Sequence, residues 1–341
     1  MARRVAGRSP VASSHLIGAL RRDLDVAVPR AEELVAAVSG IPPPPPVRWD
    51  LIDRARWADA NIAGMMELLR PLTDKVARRL EPLPPAVKLA QRTVVSVEVG
   101  VLLGYVSRRV LGQYDLLVPE GSTPDGNGGA SLYFVGANMV EMERRFSFVP
   151  ADFALWVAAH EVTHRFQFAG VPWLQERFFS LVHSYLESLE LDARGLARRL
   201  AGAGARLASR STPTEERHPV YLLASEDQKA RLDEIQALMA VVEGHGNFVM
   251  DAVGVEAIPS VRRMRGVFQR RRQQVGAVQR AINHVLGLEM KLRQYELGQS
   301  FCETVASRAG ASALASLWIS AGNLPTLQEL KEPELWMRRV A

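Results

Sequence analysis

A chain of 341 residues, 48% of them apolar, can bury one large core or two ordinary ones, which excludes a disordered or fibrous protein. Its net charge of +5 is mild for that length and argues against a dedicated nucleic-acid binder. A lone cysteine, Cys302, leaves no internal disulfide, so the expected setting is reducing and cytoplasmic.

The N-terminal "MARRVAGRSPVASS" is basic, but "HLIGALRRDL" follows it instead of an uninterrupted apolar stretch, so it reads as a frayed tail and not as a secretory or twin-arginine signal. Residues 12–39 show helical periodicity, with a break expected near Pro29, and "IPPPPPV" (41–47) reads as a stiff extended spacer. Residues 1–47 are thus expected to form a tail, a helix and a spacer ahead of a main domain over 48–341. "LIDRARWADANIAGMMELLRPL" (51–72) has apolar residues at the three-and-four spacing of an amphipathic helix. A long apolar-faced helix is expected over 85–112, ending around Gly112. Its most apolar part, "TVVSVEVGVLLGYV" (93–106), contains Glu98 and falls short of the roughly 20 residues that span a bilayer, so no membrane partner is expected.

The pattern then changes. "YDLLV" (114–118) and "SLYFV" (131–135) are short β-type runs separated by turn formers, which predicts a small β-hairpin or edge sheet. An edge strand at 131–135 would suit pairing with an extended peptide. Helix is expected again over 151–169, 173–201, 226–252 and 275–308, with 203–219 a surface loop. The six arginines of "RRMRGVFQRRRQQ" (262–274) read as a solvated face in preference to a nucleic-acid site, because no nucleic-acid fold signature accompanies them. The fold class is mainly α with a minor β element.

The stretch "WVAAHEVTHRFQF" carries the chemistry. With about 100° between successive helical residues, His160 and His164 project from nearly the same face, and both imidazoles can reach one ion at about 2 Å. Glu161 is displaced round the helix, where it could take a proton from water at the metal. With 7 histidines in the chain, H-E-x-x-H arises by chance with a probability on the order of one per cent. Apolar flanks on both sides place the motif on a buried helix, where unpaired polar groups are costly.

The third ligand must come from elsewhere. The metzincin continuation would need glycine at 167 and histidine at 170, where this chain has Gln167 and Gly170. In "LMAVVEGHGNFVMDAV" (238–253), Glu243 and His245 interrupt a run that should be buried, and a buried carboxylate needs a cation. Glu243 is the preferred ligand. Asn247 and Asp251 share its face and could hold a ligating histidine from behind, while Gly244 and Gly246 would admit a second helix closely. His245 projects roughly opposite. His183, Glu187 and Glu190 rank behind Glu243, because the charges around them are distributed like a solvated face. Tyr295 could stabilise an oxyanion if its helix borders the cleft.

The stretches "RRVLGQYDLLVP", "LWVAAHEVTHRFQFAGVPWL", "EGHGNFVMDAVG" and "KLRQYELGQSF" occur in this order. On them the chain resembles a bacterial zincin-like family of zinc metallopeptidases, often labelled as associated with the biosynthesis of a deazaflavin coenzyme. The resemblance covers nearly everything after the polyproline spacer. It implies a mostly helical zincin-like fold, a Zn2+ cofactor, His160, His164 and Glu243 as ligands, Glu161 as base, and a peptide or protein substrate. In thermolysin-like enzymes an aspartate stands four residues after the glutamate ligand; here that residue is Asn247, so the supporting role would pass to Asp251. The rival expectation is a non-catalytic helical binding or assembly protein with a structural metal centre, closed by four protein ligands.

Overall fold

The computed structural model describes residues 2–7, 12–46, 48–80, 99–116, 132–189, 221, 224–273 and 288–340. In chain order the helices are α1 (Ala2–Ala6), α2 (Ser14–Val38), α3 (Arg54–Leu68), α4 (Arg70–Leu80), α5 (99–107), α6 (Gly136–Phe146), α7 (Pro150–Gly170), α8 (Leu174–Ser188), α9 (Glu226–Ala257), α10 (Val261–Gln273) and α11 (Leu288–Ala309). Two 3-10 segments, Ala311–Trp318 and Ala321–Asn323, then lead to α12 (Leu327–Lys331) and α13 (Pro333–Val340). The strands are β1 (Trp49–Ile52), β2 (Gly112–Tyr114) and β3 (Leu132–Val135). The fold is mainly α with one small sheet. Among the described residues, no helix is long and apolar enough to cross a membrane.

Helix α2 starts at the N-cap Ser13, whose hydroxyl accepts from Leu16 N, and it runs through Pro29 without the expected break. Proline in a helix interior costs about 3 kcal/mol. Here Leu20, Leu24, Ala27, Val28, Ala31, Leu34 and Val35 are all buried on α2, which packs along α7, and that burial outweighs the lost hydrogen bond. The expected single helix over 51–72 begins as strand β1 and divides into α3 and α4 around Leu69, just ahead of Pro71, whose ring disfavours a helical residue before it. The helix expected over 85–112 is described only from residue 99 and gives way to a turn, so Gly112 opens a strand instead of ending a helix.

The sheet holds the expected antiparallel pair, as β2 and β3, and adds a third strand. Its order is β1-β3-β2, with β1 parallel and β2 antiparallel to β3, in the registers Trp49↔Leu132 and Gly112↔Phe134. Strand β3 is therefore central, and the edge role expected for 131–135 is overturned, because β1 supplies a partner from far upstream. All four residues of β3 are buried, which fits a continuous apolar run covered on both faces. The expected loop over 203–219 lies outside the described residues.

The chain divides into two compact units, and the division falls within α9, between His245 and Gly246. In the first unit, Ile52, Trp57, Leu103, Tyr133 and Val135 form one core cluster, and the rings of Phe153, Phe148, Phe268 and Trp156 meet in that order. Arg165, 1% exposed, donates from α7 to the carbonyl of Pro45 at 2.5 Å and pairs with Glu32 at 3.0 Å, which ties the polyproline segment and α2 to the same helix. In the second unit, α9 and α11 cross at backbone contact. A Cβ on Gly244 would fall 2.1 Å from Gly298 C, and one on Gly298 would fall 1.8 Å from Ala240 O, so only glycine fits either place.

Candidate metal centre

Helix α7 opens with Pro150 and buries most of its length, including the polar residues Glu161, Thr163, Arg165 and Gln167. One turn apart on it, His160 and His164 set their rings edge to face, with centroids 4.5 Å apart. Their Nε2 atoms approach to 3.1 Å. His164 Nδ1 lies 2.9 Å from Gln167 Oε1. An amide oxygen can only accept, so Nδ1 carries the proton and the Nε2 lone pair of His164 points at His160.

The part of α9 from Gly246 onward belongs to the same unit and lies on these imidazoles. A Cβ on Gly246 would sit 3.2 Å from His164 Cε1 and 3.5 Å from His160 Cε1, so the glycine lets the helix close over both rings. The same unbroken helix carries Glu243 one turn earlier. His160, His164 and Glu243 each offer a ligand atom, and all three atoms lie within 4.8 Å of one another. Two nitrogens bound to one tetrahedral zinc at about 2.05 Å stand about 3.3 Å apart. The observed 3.1 Å between the Nε2 atoms fits that geometry, and two imidazoles with a carboxylate make a donor set suited to zinc.

Glu161 is 7% exposed and held from the side by β2. A Cβ on Gly112 would fall 2.6 Å from Glu161 Cγ and 2.9 Å from Oε1, so this backbone position must stay bare for the carboxyl to occupy its place. Strand β2 is an edge of the sheet among the described residues.

The other sequence-derived candidates lie as follows. His245, 1% exposed, packs edge to face on Trp318 with centroids 4.9 Å apart, and it is not one of the three converging residues. His183 stacks near Phe179, with centroids 6.5 Å apart. Asn247 is buried at 6% exposure. Asp251 accepts a salt bridge from Arg265 Nε. Tyr295 belongs to α11, but its side chain lies outside the described residues, as does Glu190. Sequence reasoning missed Gln167 as a partner of His164 and Gly112 as a neighbour of Glu161. The first was within reach, because a lone amide three residues past a histidine in an aromatic run needs a partner. The second had no local signal.

Among proteins of curated function, nothing matches the chain. It is similar to a crystal structure of "a putative hydrolase with a novel fold" from Chloroflexus aurantiacus, with a TM-score of 0.70 and 28% identity over 99% of this chain and 95% of that one. The sequence model of the zincin-like metallopeptidase family matches residues 1–337, and with the histidine pair and the glutamate already in place on two buried helices, the chain belongs to that family.

Proposed function

We propose that the protein is a zinc-dependent peptidase. The reading is carried by one observation: His160, His164 and Glu243 offer donor atoms within a single 4.8 Å cluster, beside a buried Glu161 that is not part of it. The three would hold the metal, and Gln167 would fix the His164 tautomer that leaves Nε2 as donor. A zinc ion bound there would lower the pKa of a water molecule to about 7 and polarise a peptide carbonyl. Glu161 would accept the proton of the attacking water on its carboxylate and return it to the leaving amine. The substrate proposed is a peptide or protein in extended conformation, added along β2, the edge strand whose Gly112 lies against Glu161. Cys302 is fully buried, and burial pushes its thiol pKa up, so it takes no part in the chemistry and suits the reducing cytoplasm proposed as the setting.

Glu161→Gln keeps the shape and removes the base. The expected result is zinc bound as in the wild type, with hydrolysis of an unstructured protein substrate reduced by about a thousandfold. Undiminished turnover in this variant would sink the assignment of Glu161. A wild type that holds zinc yet cleaves no peptide in a varied set would favour the structural-centre reading.

A further inference from the structure

A cavity of about 340 Å³ on the first unit is walled by α6, by the end of α5 with its following turn, and by Val5 of α1. Neither His160, Glu161 nor His164 lines it. Asn138, Glu141, Met142 and Arg145 reach it from α6 at the spacing of one helix face. Across from them stand Tyr105, Arg108 and Arg109.

The walls are cationic. Three guanidinium groups line the cavity, and among the described residues Glu141 is the one carboxylate there. Glu141 is already met by Arg54, whose side chain is 4% exposed and donates to Glu141 Oε2 at 2.6 Å. Arg54 also donates through Nε to Asn138 Oδ1 at 2.6 Å, and the Asn138 amide donates to the carbonyls of Ser107 and Val110. This buried network fixes α6 to the turn that carries Arg108 and Arg109, so the cavity is held in shape by the fold. The Arg109 guanidinium lies 3.5 Å from the Tyr105 ring centroid and donates to the Tyr105 carbonyl at 3.0 Å, which presents it at a set angle. Burial, and beyond it the neighbouring charge of Arg108, holds the Arg109 guanidinium below its ordinary pKa. An anion in the cavity would reverse that.

We propose that this cavity binds a small organic anion: a phosphate or carboxylate head held by Arg108, Arg109 and Arg145, with an apolar or aromatic body against Tyr105, Leu111 and Met142. Planar guanidiniums pair with either head through two parallel hydrogen bonds. The volume is at the small end of the range for ligand sites, which selects a small molecule over a macromolecular segment. The proposal stands independently of hydrolysis at the metal centre.

The test is calorimetric titration of the full chain with phenyl phosphate, benzoate and inorganic phosphate. One equivalent of phenyl phosphate or benzoate is expected to bind, more tightly than inorganic phosphate, and whichever binds better identifies the head group. Arg108 and Arg145 are exposed, so charge reversal there should leave the melting temperature in place. Arg108→Glu with Arg145→Glu should weaken binding at least about tenfold, and the milder Arg145→Gln should weaken it in the same direction. Absence of binding by all three probes at millimolar concentration would overturn the proposal. So would binding that the double variant leaves unchanged, since that locates the anion at the metal centre or elsewhere.

Discussion

In the C-terminal segment of the second unit, buried polarity is closed over a short length of chain. Glu329 caps α12 together with Thr326 and accepts from Arg339 at 2.6 and 3.0 Å, while Arg339 also donates to the carbonyls of Gly322 and Leu324. Trp336 donates to the carbonyl of Asn323 at 2.7 Å. On α7 the polar groups answer to distant segments: Arg165 to Glu32 and Pro45, the Glu161 carboxyl to the bare backbone of Gly112, and the histidine pair to α9. The first arrangement joins groups that lie close together in the chain, and its hydrogen bonds stabilise the segment. The second gathers groups from remote segments, among them three ligand atoms within 4.8 Å of one another, an arrangement that a cation would stabilise.

Four substitutions put this contrast to the test. The largest effect is expected from Glu243→Ala, which removes one of three donors and should lower zinc affinity by more than about a hundredfold in a chelator competition. Unchanged affinity would return the third position to His183 or His245. Gly112→Ala forces a methyl group to within 2.6 Å of Glu161 Cγ, so the carboxyl must move. Turnover should fall by about a hundredfold with zinc content unchanged. Gln167→Leu removes the acceptor for His164 Nδ1 and should weaken zinc binding by about tenfold, and measuring affinity against pH would separate this from a general loss of folding.

The smallest effect is expected away from the centre. Burial alone would raise the Glu329 carboxyl, but the hydrogen bonds from Arg339 and from the Thr326 backbone outweigh it and hold the group below its ordinary value of 4.5. A carboxyl depressed in the folded state contributes stability above its unfolded pKa and loses it as pH falls through the folded one. Glu329→Gln should therefore cost about 1 kcal/mol at pH 7, and the difference from the wild type should fade as the solution is acidified below 4.5. Thermal unfolding at neutral and acid pH reads this directly, and zinc binding should not change.

Much of the helical content was legible because amphipathic spacing is local. The periodicity expected over 151–169 and 226–252 corresponds to α7 and α9, displaced by a few residues at their ends. The central place of β3 was not legible: "SLYFV" carries the pattern of a strand but no information on how many neighbours it has, and "WDLI" was hidden at the head of a helical pattern. Pro29 misled for a related reason, since local propensity predicts a break that burial against α7 overrides.

Residue spacing alone puts two imidazoles on one helix face with a carboxyl beside them, because 3.6 residues per turn leaves no alternative once the helix forms. The sequence also marks Glu243 and His245 as polar interruptions of an apolar run, and Gly244 and Gly246 as places where a second helix could come close. What those residues do is set by packing. Gly246 lets α9 close on the imidazoles, Gly244 lets it close on Gly298, and Glu243, just before both glycines on the same helix, offers its carboxylate within 4.8 Å of the two histidine nitrogens. Such placements depend on close approach between segments remote in the chain, which residue spacing does not encode and packing does.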